Sequence, residues 1–532
     1  MARAGSAAAL VAALEKELEV LAMREALAYW ALATAASRQA QDAYASARSA
    51  LRRFLAQNDV FREIVAARES IDPGAQEILR RQLDILYTLF LPNQVDEELI
   101  ARQVQLEAEI EAIHAAFRAE VDGRRLTQND LDEILRRERD ARLREDAWTA
   151  SKAVGSQVAP LLKQLVALRN EGARQLGFPD YYALALAAGE MEEAALFSWL
   201  DQLEAASHRY FAREKARLDR KLAERFGIEP QELRPWHYSD PFFQEAPPLE
   251  VDLDAVFAGL DLVGVATAYF DAIGLRVDPV IVRSDLFERP GKAEDAFCLE
   301  VNAAAEDVRI LCNLRPTERG ARTLFHELGH AVYALNIATE FPYLLRRPAH
   351  IVTTEAAALL FERVLYDAHW LREWAGLTED EASELAAMIR SHANLAQAIF
   401  LRWGLVMVHF ERALYRDGGA DRSDQWWSFV ERFQGVSRPD KPVPGDWAAK
   451  IHLGVAPVYY QNYLLGELVA AQLLDLVEDE LGEGALVTSP AAGYVLIDRW
   501  FMHGARYPWW ELARRALGGL DHQSYVRRHF QD

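Results

Sequence analysis

From residue 6 to residue 226 the apolar side chains recur at the three-to-four-residue interval of an α-helix. That regularity limits the fold more than any other feature of the chain. It runs through residues 6–35, 41–57, 96–121 and 127–154. Residues 156–191 read as a helix, a Gly-Phe-Pro-Asp turn at Gly177 to Asp180, and a second helix; residues 191–226 continue helical. Glycine (28) and proline (20) are sparse among 532 residues, as a mainly α chain requires. No interval repeats, so a solenoid is not expected. Prolines and aromatics crowd residues 230–250, where helical spacing stops and a long connection is expected. Three strand-like runs follow at residues 276–284, 296–301 and 308–314, the one convincing β region. Helices resume near Thr317 and run to the end, with breaks at residues 338–350 and 436–455.

A formal charge of −22 argues against nucleic acid and anionic membranes as partners and favours cationic ligands. Two cysteines, Cys298 and Cys312, exclude a disulfide framework and a cysteine-rich zinc site. Their two runs could pair as a hairpin, so one bridge is feasible if they face each other. Reduced thiols are the default for the cytoplasmic location expected here. The alanine-rich start reads as a helix N-terminus rather than a signal peptide, and no apolar run is long enough to span a membrane. The oligomeric state is not legible.

Within the helical pattern lies His326-Glu327-Leu328-Gly329-His330, an HExxH motif. Histidines four apart share one helix face, so both imidazoles can reach one ion. Glu327 is offset by about 100° from His326, close enough to hold a water at that ion. A catalytic zinc needs a third protein ligand. Tyr333 and Asn336 stand where the HExxHxxGxxH pattern requires Gly and His, so a third histidine is excluded. The next amphipathic helix carries Glu355, 25 residues past His330, and Glu362 two turns later on nearly the same face. One carboxylate can bind the metal while the other accepts the second ring N–H of a histidine ligand. Glu340, in the intervening loop, is a weaker candidate.

A second dense region, residues 426–473, holds Lys450, His452, Tyr459, Tyr460 and Tyr463. Tyr and His can donate to the oxyanion formed when water attacks a carbonyl, and a Lys can hold a terminal carboxylate. Tyrosines at this spacing also serve plain packing.

Taken with their flanks, these stretches resemble the peptidyl-dipeptidases of the angiotensin-converting-enzyme family, within the larger group that includes thimet oligopeptidase. VRILCNLRPTERGARTLFHELGH resembles the family's edge strand leading into its zinc helix. TTEAAALLFE resembles the helix with the third ligand, at the spacing of the oligopeptidase branch. WWSFVERFQGVSRPDKPVPGDWAAKIHLGVAPVYYQNY is closest to converting enzyme, and RNEGARQLGFPDYYALAL also fits the group. The resemblance spans residues 161–473; the first part of the chain is matched only as helices.

The resemblance implies one zinc ion per chain, on His326, His330 and Glu355, with Glu327 as general base. It implies that Lys450 and Tyr460 bind the substrate's C-terminal carboxylate, and that His452 and Tyr463 stabilise the tetrahedral intermediate. One residue is inserted between His452 and the tyrosine pair, so Tyr459 competes with Tyr460. Leu359 stands where converting enzymes carry an acid beside the site, and Glu362 replaces it. A strand at 296–301 or 308–314 would pair with an extended peptide. Val430 and Asn462 occupy the positions of the chloride-binding arginines, so chloride activation is not expected. The family's cysteine pairing is not reproduced, because its upstream position falls near Lys292.

The implied fold is two helical lobes flanking a deep substrate cleft, with a small antiparallel sheet beside the HExxH helix. Residues 1–250 would form an N-terminal lobe able to serve as a lid, and residues 251–532 the catalytic lobe, as one intertwined unit with a soft boundary where the chain can cross between lobes. The implied activity is release of dipeptides from the C-terminus of short peptides. An endo-acting oligopeptidase, a metallocarboxypeptidase, a zinc hydrolase of non-peptide amides and a non-catalytic peptide-binding protein are the alternatives.

Overall fold

The computed structural model of the chain describes residues 2–72, 74, 76–302, 305–417 and 422–530. Helices dominate, as the spacing predicts. No helix among the described residues is long and apolar enough to cross a membrane. Two compact units emerge. The first comprises Met1–Gln94, Val251–Ile389 and Leu465–Ser524; the second comprises Val95–Glu250, Arg390–Leu464 and Tyr525–Asp532. The expected boundary at residue 250 is thus one of several crossings. Residues 1–94 join the segments that carry the HExxH helix instead of forming a lobe with residues 95–250.

Burial explains why. In the first unit the N-terminal helices bury Leu14, Leu18, Ile64, Leu83 and Leu86 in one core with Leu344 and Leu345, from the loop after the second histidine. The backbone N–H of Leu344 donates to Glu15 Oε1 (3.0 Å), and Arg81 Nε donates to the Ala505 carbonyl (2.9 Å). A second core is aromatic. Phe325, on the HExxH helix, meets Tyr269 and Trp370 at ring distances of 5.4 and 5.8 Å.

The sheet of the first unit has three strands, β1 (Asp285–Phe287), β2 (Phe297–Asn302) and β3 (Asp307–Leu314), in the order β1-β3-β2. β2 and β3 form the expected antiparallel pair, but β1 runs parallel to β3, so the sheet is mixed rather than antiparallel. The run at 276–284 is not a strand. Pro279 opens a helical turn, Asp278–Ile281, where its missing N–H costs nothing, and the strand starts only afterwards. Cys298 lies opposite Ile310, which leaves Cys312 two residues out of register; both thiols are free. Lys292 ties this region together instead. Its ammonium donates to Asp285 Oδ1 (2.9 Å), to the Phe287 carbonyl (2.8 Å) and to the Cys312 carbonyl.

In the second unit the proline-rich connection is held by hydrogen bonds. Arg144 donates to the carbonyls of Trp236 (2.7 Å) and Tyr238 (2.8 Å), and Trp148 Nε1 to that of Pro241 (3.0 Å). A second β element also lies here. Ala119–Val121 pairs antiparallel with Arg124–Leu126, a hairpin hidden in the helical reading of residues 96–121. Asp122 and Gly123 form its turn, with φ of 49° and 70°, as an Asp-Gly pair permits.

Two helices of the first unit, Glu318–Leu335 and Ile351–Val364, lie against each other with almost no side chain between them. A Cβ on Gly329 would stand 2.6 Å from Ala358 Cα and 2.9 Å from the Ala357 carbonyl oxygen. Ala356, Ala357 and Ala358 are fully buried at this crossing. Small residues therefore set the separation of the two helices. Gly329→Ala is expected to destabilise the protein by about 1–3 kcal/mol through overpacking. Denaturant unfolding measures this, and an unchanged midpoint contradicts the close approach.

Candidate metal centre

The HExxH helix begins at Thr317, whose side chain accepts from Gly320 N–H (3.1 Å). Such a cap is worth about 1 kcal/mol. Nine residues on, His326 and His330 leave the same face, their rings 5.0 Å apart and nearly perpendicular. The second helix begins at His350 and delivers Glu355 in its second turn. One ligand atom from each of His326, His330 and Glu355 lies within 4.8 Å of the others. His326 Nε2 is 3.8 Å from Glu355 Oε2.

The outer nitrogens are both engaged. His326 Nδ1 is 3.0 Å from Glu362 Oε2, and His330 Nδ1 is 2.7 Å from Thr354 Oγ1. In the tautomer these partners favour, each Nδ1–H donates outward and each Nε2 keeps its lone pair for an ion. The two-nitrogen, one-carboxylate set, with outer partners in place, fits zinc. The two acids therefore divide the tasks left open by their spacing. Glu355 faces the ion site, and Glu362 orients His326 with Arg322 near its other oxygen (3.5 Å). Glu340 is exposed and lies outside the cluster. Thr354 was missed in the sequence, although it directly precedes Glu355; a hydroxyl beside a ligand is the signal that could have found it.

Burial sets the charges. It pushes the Glu327 carboxyl up to about 7, with His326 pulling the other way and Glu355 and Glu362 adding to the rise. Burial and the neighbouring His326 lower His330 to about 3, so its ring is neutral, as a ligand must be. Burial also works against a charged His326, but the bond to Glu362 outweighs it and the net shift is upward. A cavity of about 440 Å³ opens over these groups, lined by Phe297, Cys298, Glu300, Glu327, Ile351 and Glu355 among others.

Lys450, His452, Tyr459, Tyr460 and Tyr463 belong to the second unit and gather there. The His452 and Tyr460 rings are 5.2 Å apart; Tyr463 meets Tyr459 at 5.0 Å and Tyr460 at 5.6 Å. Tyr460 is buried, whereas Tyr459 and Tyr463 are half-buried. Lys450 Nζ donates to Gln244 Oε1 (2.7 Å), a partner the sequence did not reveal. Burial lowers Lys450 to about 8, against the pull of Asp240, Glu245 and Asp132. Burial, and then Lys450, lower His452 to about 4, so it acts as a neutral ring. Val430 and Asn462 are both buried.

Comparison with known proteins matches the two ends of the chain to different families. Peptidase family M3 matches residues 278–532, which hold the metal centre, and Angiotensin-converting enzyme (peptidase family M2) matches residues 2–229. Angiotensin-converting enzyme of Mesocricetus auratus is 26% identical over 436 residues, 72% of this chain and 32% of that protein. The enzyme of the same name from Haematobia irritans exigua is 27% identical over 247 residues, 43% of this chain and 39% of that protein. Mitochondrial intermediate peptidase of Chaetomium globosum is 26% identical over 488 residues, 74% of this chain and 61% of that protein. The chain spans less than two thirds of the length of these relatives. The resemblance read from the motifs holds, and it extends into the first part of the chain, which the motifs matched only as helices.

Because Glu362 and Thr354 bond to the outer nitrogens of the two histidines, Glu362→Ala and Thr354→Val are each expected to lower the affinity for added zinc about 10- to 100-fold. Competition with a chromogenic chelator reads this, and unchanged affinity in both variants contradicts the orienting role.

Proposed function

We propose that this chain, a relative of the M2 and M3 metallopeptidases, hydrolyses peptide bonds in short peptides with one zinc ion held by His326, His330 and Glu355. The observation that carries the reading is that both histidines turn Nε2 inward with Nδ1 engaged, beside a carboxylate at ligand distance and a buried, unligated Glu327. A zinc ion there supplies Lewis acidity toward the scissile carbonyl and toward an attacking water.

The protein's own groups do the rest. Glu327, raised toward neutrality by burial, takes the proton from the attacking water and returns it to the leaving amine. Glu362 and Thr354 hold the histidine rings through both steps. β2 is an edge strand of its sheet, which suits pairing with an extended peptide. The resemblance to converting enzyme adds oxyanion donation by His452 and Tyr463, and carboxylate binding by Lys450 with Tyr460 or Tyr459. On this reading the products are C-terminal dipeptides, chloride does not activate, and the enzyme works in the cytoplasm, where Cys298 and Cys312 stay reduced. The second reading, an endo-acting oligopeptidase, draws on the M3 match across the metal centre and on Glu362 standing where that branch has its acid.

Glu327→Gln is expected to keep zinc, measured by metal analysis, and to lower kcat by about 10²- to 10⁴-fold. A variant that hydrolyses peptides at the native rate sinks the mechanism. Mass spectrometry of products from free and C-terminally amidated peptides separates the readings. Loss of cleavage on amidation, with dipeptides as products, supports the carboxylate clamp; unchanged cleavage at internal bonds supports the oligopeptidase.

A further inference from the structure

Among the described residues, the cavity over the candidate metal centre is lined by three acids, Glu300, Glu327 and Glu355, and by no lysine or arginine. Two of them have tasks on the proposed reading: Glu355 faces the ion and Glu327 handles the proton. Glu300 has none. It sits on edge strand β2, two residues from Cys298, so both side chains leave the strand on the same face and both line the cavity. The strand rises about 3.3 Å per residue, the pitch of an extended peptide laid beside it.

Among the described residues the Glu300 carboxylate makes no hydrogen bond and no ion pair. Arg347 is the cation that influences it, and that guanidinium lies near the Tyr343 ring (5.9 Å) without pairing to Glu300. Burial pushes the Glu300 carboxyl up to about 7, with Arg347 pulling against it. An acid held this way gains from an arriving cation more than a solvated one does, because no fixed partner has taken its charge.

We infer that Glu300 selects substrates with a basic side chain, Lys or Arg, close to the scissile bond. This rests on the peptidase reading and names its substrate class. The formal charge of −22 works in the same direction, because a cationic peptide is drawn toward the protein before any contact forms. Phe297 and Ile351, also in the lining, suit the aliphatic stem of such a side chain.

The test uses the zinc-loaded protein and a peptide series that differs only in Lys, norleucine or Glu, placed in turn on each side of the cleaved bond. At one position the Lys peptide is expected to exceed the norleucine peptide about tenfold in kcat/KM. That ratio is expected to fall near unity in Glu300→Gln, which keeps the shape of the side chain, and Glu300→Lys is expected to favour the Glu peptide. Equal rates for Lys and norleucine at every position in the native protein overturn the inference, and so does a Lys preference that survives in Glu300→Gln. Kd values for the same peptides keep the two readings apart. Absence of cleavage, with a Lys preference in Kd that Glu300→Gln removes, sinks the peptidase reading and leaves the role of Glu300 standing. Absence of both cleavage and preference sinks both.

Discussion

The metal centre depends on the contact between Gly329 and the backbone at Ala357 and Ala358. HExxH alone places two imidazoles on one face; it does not bring a third ligand to them. Glu355 is three residues before Ala358, so the separation of the two helices at Gly329 sets how far its carboxylate reaches. Gly466 approaches from another side, where a Cβ would stand 3.4 Å from Glu355 Cβ. The close approach at Gly329 is therefore the tighter of the two constraints on Glu355. This confinement explains why alanines occupy the turn after Glu355: larger residues would push the carboxylate away from the histidines.

A ligand set so confined also needs its connecting loop held. The loop between His330 and Glu355 contains Leu344 and Leu345, and the N-terminal helices close over them. Glu15 accepts the Leu344 N–H, so a helix hundreds of residues upstream fixes the path from one ligand to the next. That is the structural task of residues 1–94, and it accounts for their place in the unit of the metal centre.

The parts of this arrangement that follow a local rule were legible in the sequence. His326, Glu327 and His330 obey the helical period, and so do Glu355 and Glu362 on their own helix. What the sequence concealed was governed by long-range partners. The parallel pairing of β1 depends on β3 entering between two earlier strands, which no local pattern records. The run at 276–284 carries the β-branched residues Val277, Val280, Ile281 and Val282 of a strand, and Pro279, which lacks an N–H to give a sheet, opens a helical turn there instead. The Asp122-Gly123 hairpin does follow a local rule, but its turn dipeptide sits at the end of a strong helical pattern that masks it. Gln244 and Lys450 are 206 residues apart, beyond the reach of any spacing rule.

The charges in the first unit resolve a tension in the composition. A chain this acidic would be expected to spread its carboxylates into solvent, yet Glu300, Glu327, Glu355 and Glu362 all lie in or beside one cavity. Burial raises three of the four, and neighbouring acids add to the rise at Glu327 and Glu355. Glu362 is the exception. His326 and Arg322 outweigh its burial and keep it anionic, which lets it hold the His326 ring. The same surroundings thus keep Glu362 charged and hold Glu327 near neutrality. The difference comes from whether a cationic or N–H partner is built in, and not from depth of burial.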